Sequence, residues 1–79
     1  MPDTILRLSD DRSLACLVRG ERQARGWSQK QLAEKSGISR YTIGRIELAE
    51  IEPERNSLEC VLGALGYRVV FAVEPVAGE

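Results

Sequence analysis

Histidine is absent from this 79-residue chain, and only two cysteines, three prolines and four aromatic residues occur. Each shortage removes a class of function. Without histidine, and with Cys16 and Cys60 isolated rather than in a CxxC pair, no zinc-type ligand set can be composed, so no metal or other cofactor is expected. Both cysteines lie among apolar residues in a helical pattern, which predicts buried small hydrophobes. There is no glycine-rich phosphate loop and no nucleophile, base and orienting group in combination, so an enzyme is not expected. No charged n-region followed by an apolar run opens the chain, and no apolar run approaches the roughly 18 residues of a membrane span. The expectation is a soluble cytoplasmic protein. Its length allows one domain at most, burying only about 60–65% of the unfolded surface. A core that small needs outside support, and with metal and disulfide set aside a partner chain is the expected source.

What the sequence does contain is an uneven charge distribution. The formal net charge is −1. Residues 12–45 hold eight bases (Arg12, Arg19, Arg22, Arg25, Lys30, Lys35, Arg40, Arg45) against two acids, Glu21 and Glu34, a local net of +6. The remainder holds three bases against ten acids, a net of −7. One face suited to a polyanion and another turned away from it would produce this asymmetry; a solvated surface with chance clustering would also do so.

Helix signals are dense. Ser9 offers an N-cap, Asp10 and Asp11 would sit in the first turn, and Leu14, Leu17 and Val18 follow at helical spacing. This first helix is expected to end near Arg25, with Gly26 as its C′ residue. "SQKQ", residues 28–31, is a capping box in which Ser28 and Gln31 exchange hydrogen bonds, with Trp27 and Leu32 at the staple positions. A second helix should therefore cover residues 29–35. The signal recurs in "SRYT", residues 39–42, with Ile38 and Ile43 as the staple pair, and predicts a third helix over residues 40–48. Gly37 in the link "SGIS" can take the left-handed conformation that a sharp turn needs. Small Ala33 would let the second helix approach the first. The unit is helix, tight turn, helix, with Ala33, Gly37, Ile43 and Ile46 as its packing skeleton. After a loop broken by Pro53, Asn56 can cap a fourth helix whose stripe is Leu58, Val61, Leu62 and Leu65, ended by Gly66.

"YRVVFAV", residues 67–73, is the best strand in the chain, with Tyr67, Val69, Phe71 and Val73 on one face and Val70 on the other. A lone strand leaves its backbone groups unpaired. It can pair with "TILRL", residues 4–8, which fits either a strand or a loose arm, or with its copy in a second chain. A symmetric sheet of the second kind would join two helical units into a homodimer; docking on its own helices is the other reading. The expected layout is an extended segment over 1–8, a helical domain over 9–66, a dimerising strand over 67–74 and a frayed tail over 75–79.

The stretch "RGWSQKQLAEKSGISRYTIGRIE", residues 25–47, resembles the phage-repressor, or Xre-type, helix-turn-helix family. The pattern covers positions 18–66, including Val18, Arg22, Gly26, Ser28, Gln29, Leu32, Ala33, Gly37, Ile43, Ile46, Glu47, Pro53, Leu58, Leu65 and Gly66. The resemblance implies a mainly α, four- or five-helix lambda-repressor-like domain that binds operator DNA as a dimer and represses transcription. The layout, with a strand after "ALG", is most similar to HipB-type antitoxins. That narrower likeness implies an autoregulating type II antitoxin whose partner is a HipA-type kinase toxin. A stand-alone phage or restriction-system regulator, and a toxin-inhibiting interaction module with weak DNA binding, are the alternatives.

In such a unit the second helix enters the major groove by its N-terminal end. Arg40 can then pair bidentately with guanine, and Tyr41 can touch a thymine methyl or a phosphate. Arg45, at i+4 from Tyr41, can read a base or grip a phosphate. Ser39 and Thr42 can donate to either or simply cap. Gln29 resembles the family glutamine that binds backbone phosphate and braces the recognition helix, and Lys30 suits a phosphate contact. Arg22 and Glu47 resemble the family's structural ion pair. Two features depart from the family pattern. Glu21 stands where an apolar residue is usual, and the loop after the recognition helix is acidic, with Glu50, Glu52 and Glu54.

Overall fold

The computed structural model describes residues 10–70, 73, 75 and 76. Four helices occupy the described residues: α1 (Asp11–Ala24), α2 (Gln29–Ser36), α3 (Arg40–Glu47) and α4 (Arg55–Ala64). Expected segments at residues 4–8, and Ser9, Phe71 and Ala72, lie outside them.

Local chemistry sets where each helix starts. Asp10, expected inside the first turn, is instead the N-cap of α1; its carboxylate accepts from the amide of Ser13 at 2.8 Å. Hydrogen bonds from Ser13 hold that carboxyl below its usual range. Ser28 and Gln31 form both halves of the capping box on α2, at 3.0 and 2.7 Å. Ser39 caps α3 through the amide of Thr42 at 3.1 Å. Threonine at that position cannot reach back as glutamine does, so the cap is one-sided. The cap predicted at Asn56 is not formed. The N-cap of α4 lies two residues earlier, at Glu54, with no side-chain cap bond, and Asn56 falls inside the first turn.

Three helices end in the same way. In α1, Gly26 donates to the Gln23 carbonyl and Trp27 to that of Arg22. In α4, Gly66 donates to Gly63 and Tyr67 to Leu62. In α3, Ala49 donates to Ile46 and Glu50 to Arg45. Each is a Schellman motif, whose C′ residue takes a left-handed backbone. Glycine fills that position in the first two, and Ala49 fills it in the third at φ 58°. Gly37, at φ 75°, turns the chain sharply from α2 toward α3.

The core lies where the helices meet. Leu14 and Val18 of α1, Leu32 of α2, Ile43 and Ile46 of α3, and Val61, Leu62 and Leu65 of and after α4 form one cluster. Helix α3 packs on α1 and on α2, and α2 packs on α4. Ala33 is half-buried against the cluster, but α2 leans chiefly on α3 and α4 rather than on α1 as its size suggested. Cys16 and Cys60 are exposed, contrary to expectation. Both fall on the side of their helix turned away from the middle of the buried stripe, Cys16 opposite Leu14 and Val18 and Cys60 opposite Leu58 and Leu62.

No strand is formed among the described residues. Residues 67–70 and 73 carry no regular structure, so the strand expected over residues 67–73 is not formed in its described part. Tyr67 and Val69 are half-buried against the chain's own core, while Val70 and Val73 are exposed. Among the described residues, no helix is long and apolar enough to cross a membrane.

Candidate nucleic-acid interface

The capped turn from Ile38 to Ser39 sets α3 beside α2, and its two faces then differ sharply. Ile43 and Ile46 bury completely or nearly so inward. Arg40 and Tyr41 stand on the exposed side, Tyr41 with 69% of its surface open to solvent. Arg45 lies over the Tyr41 ring, its guanidinium carbon 4.8 Å from the ring centroid. Thr42 is half-buried, and its hydroxyl is hydrogen-bonded to that of Ser39 at 2.9 Å. Lys30 is exposed at the start of α2. A shallow open depression is lined by Gln29, Arg40, Tyr41, Gly44, Arg45, Leu48 and Glu50. Four of the seven residues expected to meet nucleic acid, Gln29, Arg40, Tyr41 and Arg45, thus line one depression beside α3.

Beneath that surface, α3 is held by a polar network. Arg22 Nε and Nη2 donate to the two carboxylate oxygens of Glu47 at 2.7 and 2.9 Å. The side chains retain only 12% and 4% of their exposure. Arg22 Nη1 donates to the Trp27 carbonyl at 2.8 Å, tying α1 to the entry of α2. Gln29 Nε2 donates to Glu47 Oε1 at 3.2 Å. Glu47 therefore receives bonds from two helices, and its hydrogen bond pushes the Arg22 pKa higher still. A bidentate pair of this kind fixes geometry more than it adds net stability. Among the described residues, no buried side-chain polar atom is left without a partner. Gln29, whose amide nitrogen is engaged here, braces the exposed helix from within.

Several of the basic residues in the sequence serve the fold instead of the surface. Arg25 is bonded to Glu21 and donates to the Leu65 carbonyl at 2.7 Å. Arg25 and Lys35 both lie over the Trp27 ring, at 5.7 and 4.7 Å. Glu21, the apparent departure from an apolar residue, accepts from the Tyr67 hydroxyl at 2.8 Å. The Arg25 and Tyr67 bonds hold its carboxyl below the usual range, and Glu21 in turn raises the Tyr67 phenol.

The acidic loop was legible in the sequence, but its contact with Arg45 was not. Glu50 Oε1 lies 3.4 Å from Arg45 Nη1. Leu48, 67% exposed at the end of α3, was also missed as a lining residue. The missing signal was the Schellman end at Ala49, which turns the loop back along α3 and carries no glycine to announce it.

Two helices joined through a left-handed glycine, the second locked below and exposed above, define a helix-turn-helix unit. The helix-turn-helix family model matches residues 18–70, and the chain belongs to that family. It is 40% identical to the immunity repressor protein of Bacillus phage phi105 over 52 residues, covering 66% of this chain and 36% of that repressor. It is 38% identical to the HTH-type transcriptional regulator SutR of Escherichia coli (strain K12) over 61 residues, covering 77% of this chain and 33% of SutR. The chain spans about a third of the length of these curated relatives.

Proposed function

We propose that this chain is a sequence-specific, double-stranded DNA-binding transcriptional repressor that acts as a homodimer in the cytoplasm, with no catalytic role. The observation that carries the reading is the two-sidedness of α3. Its inner face is held by the Arg22–Glu47–Gln29 network, and its outer face presents Arg40, Tyr41 and Arg45. A rigid exposed helix with arginines at its leading turn and one turn on suits major-groove readout. Gln29, Lys30, Ser39 and Thr42 would hold phosphate or base at the helix ends. Repressor and regulator relatives support the same class.

The dimer would be joined by pairing of residues 67–74 from two chains, with Tyr67, Val69, Val70, Phe71 and Val73 at or behind the junction. Two recognition helices would then address half-sites about one helical turn, ~34 Å, apart. Within this class we favour the autoregulating antitoxin of a type II pair, on the likeness to HipB-type layout, with a HipA-type kinase toxin as partner. The acidic loop favours a second reading, a toxin-inhibiting module with weak DNA contact.

Selection of binding sites from random duplexes, followed by footprinting, tests the proposal. The Arg40→Ala/Arg45→Ala double variant should lose affinity, and its log–log salt slope should flatten by up to ~1.8 if both side chains neutralise phosphates. Unchanged retention and slope would remove α3 as the reader. Co-purification with the product of a neighbouring kinase-like gene separates an antitoxin from a lone regulator.

A further inference from the structure

Glu50 is the one acidic side chain among the residues lining the depression beside α3. Its position is built by the fold. The Schellman end of α3 ties the Glu50 amide to the Arg45 carbonyl at 2.9 Å, and the carboxylate of the same residue reaches Arg45 Nη1 at 3.4 Å. The turn that does this runs through Ala49 at φ 58°, a left-handed conformation that costs any residue but glycine. Strain of this kind persists where surrounding structure imposes it, and it collects at functional sites. Arg45 is thus held from two directions, by the Tyr41 ring at 4.8 Å on one side and by Glu50 on the other.

We propose that Glu50 is a specificity-determining residue of the DNA-reading surface, which aims the Arg45 guanidinium at a base and suppresses its use on phosphate. The proposal rests on the DNA-binding reading above. A guanidinium has five donors, and engagement of one Nη with Glu50 leaves the rest of the fork for a bidentate acceptor pair such as guanine O6 and N7. Holding the side chain in advance lowers the ordering cost of that contact. On phosphate the balance reverses. There the neutralised pair releases little counterion, and the carboxylate repels the backbone. Glu50 therefore weakens binding to every sequence while penalising the correct one least, which is how discrimination is gained by opposing the wrong partner.

The test compares the full chain with Glu50→Gln and Glu52→Gln, using the duplex selected by the wild type and a scrambled duplex of equal length, across a salt series. Glu52 is an exposed acid of the same loop that does not line the depression, so its variant controls for loop charge alone. Glu50 is also exposed, so loss of folding is not expected, and far-ultraviolet circular dichroism checks it. Glu50→Gln should bind the scrambled duplex several-fold more tightly, with a salt slope steeper by up to ~0.9. The ratio of selected to scrambled affinity should fall on the order of tenfold, the scale of one bidentate base contact. Glu52→Gln should leave that ratio unchanged. Equal effects of the two substitutions, or no change of ratio in Glu50→Gln, would overturn the proposal and leave the DNA-binding reading standing. A wild-type chain that enriches no duplex would overturn both.

Discussion

Ala49 shows how much one residue can decide. Its amide and that of Glu50 close α3 by bonds to Ile46 and Arg45, the arrangement that glycine closes at Gly26 and Gly66. The left-handed backbone costs an L-residue with a Cβ roughly 1–2 kcal/mol. Ala49→Gly removes that strain, but it also gives the unfolded chain more freedom, worth ~0.5–1 kcal/mol. The net expectation is stabilisation by about 0.5–1 kcal/mol, or a melting temperature higher by about 2–8 °C for a domain of this size. Thermal melts of the two proteins check it, and a lower melting temperature in the glycine variant would mean that strain is not stored at this turn. Arg45 is the other residue that changes meaning in context. In the sequence it is one more base on a helix; in the structure it lies between an aromatic ring and a carboxylate. Its position in the recognition helix was legible from i+4 spacing. Its two partners were not, because one of them depends on a turn that carries no sequence mark.

At the scale of elements, legibility followed the capping chemistry. Helices α2 and α3 could be bounded to within a residue because Ser28, Gln31 and Ser39 satisfy backbone amides at fixed offsets. Helix α4 shows the opposite case. Asn56 and Glu59 have the spacing of a capping box, yet the helix starts on Glu54, whose longer side chain makes no cap bond. Leu58 packs against the core from within the first turn of this helix, and the local preference of Asn56 does not set its boundary. The first turn of α4 therefore lacks a side-chain acceptor for its amides. Replacing Glu54 by serine, a strong N-cap residue, should stabilise the domain by about 1 kcal/mol. Urea unfolding should show a higher midpoint with an unchanged slope. No gain would mean that solvent already satisfies those amides equally well. The exposed cysteines misled for a related reason: a helical pattern gives the period, but the angle of a residue on the helix must be counted from the core stripe. The Tyr67–Glu21 and Arg25–Leu65 bonds span 46 and 40 residues and could not be read from local spacing at all.

Those two long-range bonds act on the molecule as a whole, since they fix how the chain leaves the helical domain. Gly66 turns it at φ 91°, Arg25 holds the Leu65 carbonyl, and Tyr67 packs on the core with its hydroxyl on Glu21. In a dimer joined beyond this point, the same lock would set the separation of the two recognition helices. Its response to pH follows from the two shifts. The Glu21 carboxyl titrates below its ordinary value near 4.5, so its contribution is complete above that value and is lost as pH falls through the folded pKa. The Tyr67 phenol titrates above its ordinary value near 10.0, so its contribution is complete below that and is lost as pH rises through the folded pKa. Tyr67→Phe retains the ring on the core and deletes only the hydroxyl. The melting-temperature difference between wild type and Tyr67→Phe should therefore be level between roughly pH 5 and 9 and shrink toward both extremes. A difference that stays constant through both ends would show that the hydroxyl does not hold Glu21. The wild type and the phenylalanine variant should still sediment as dimers at neutral pH, because the proposed strand pairing does not use the hydroxyl. What the variant should lose is register on DNA. With the exit of the chain less firmly held, two half-sites at fixed spacing should be bound less tightly, and the preference for one spacing over a spacing longer by a single base pair should narrow.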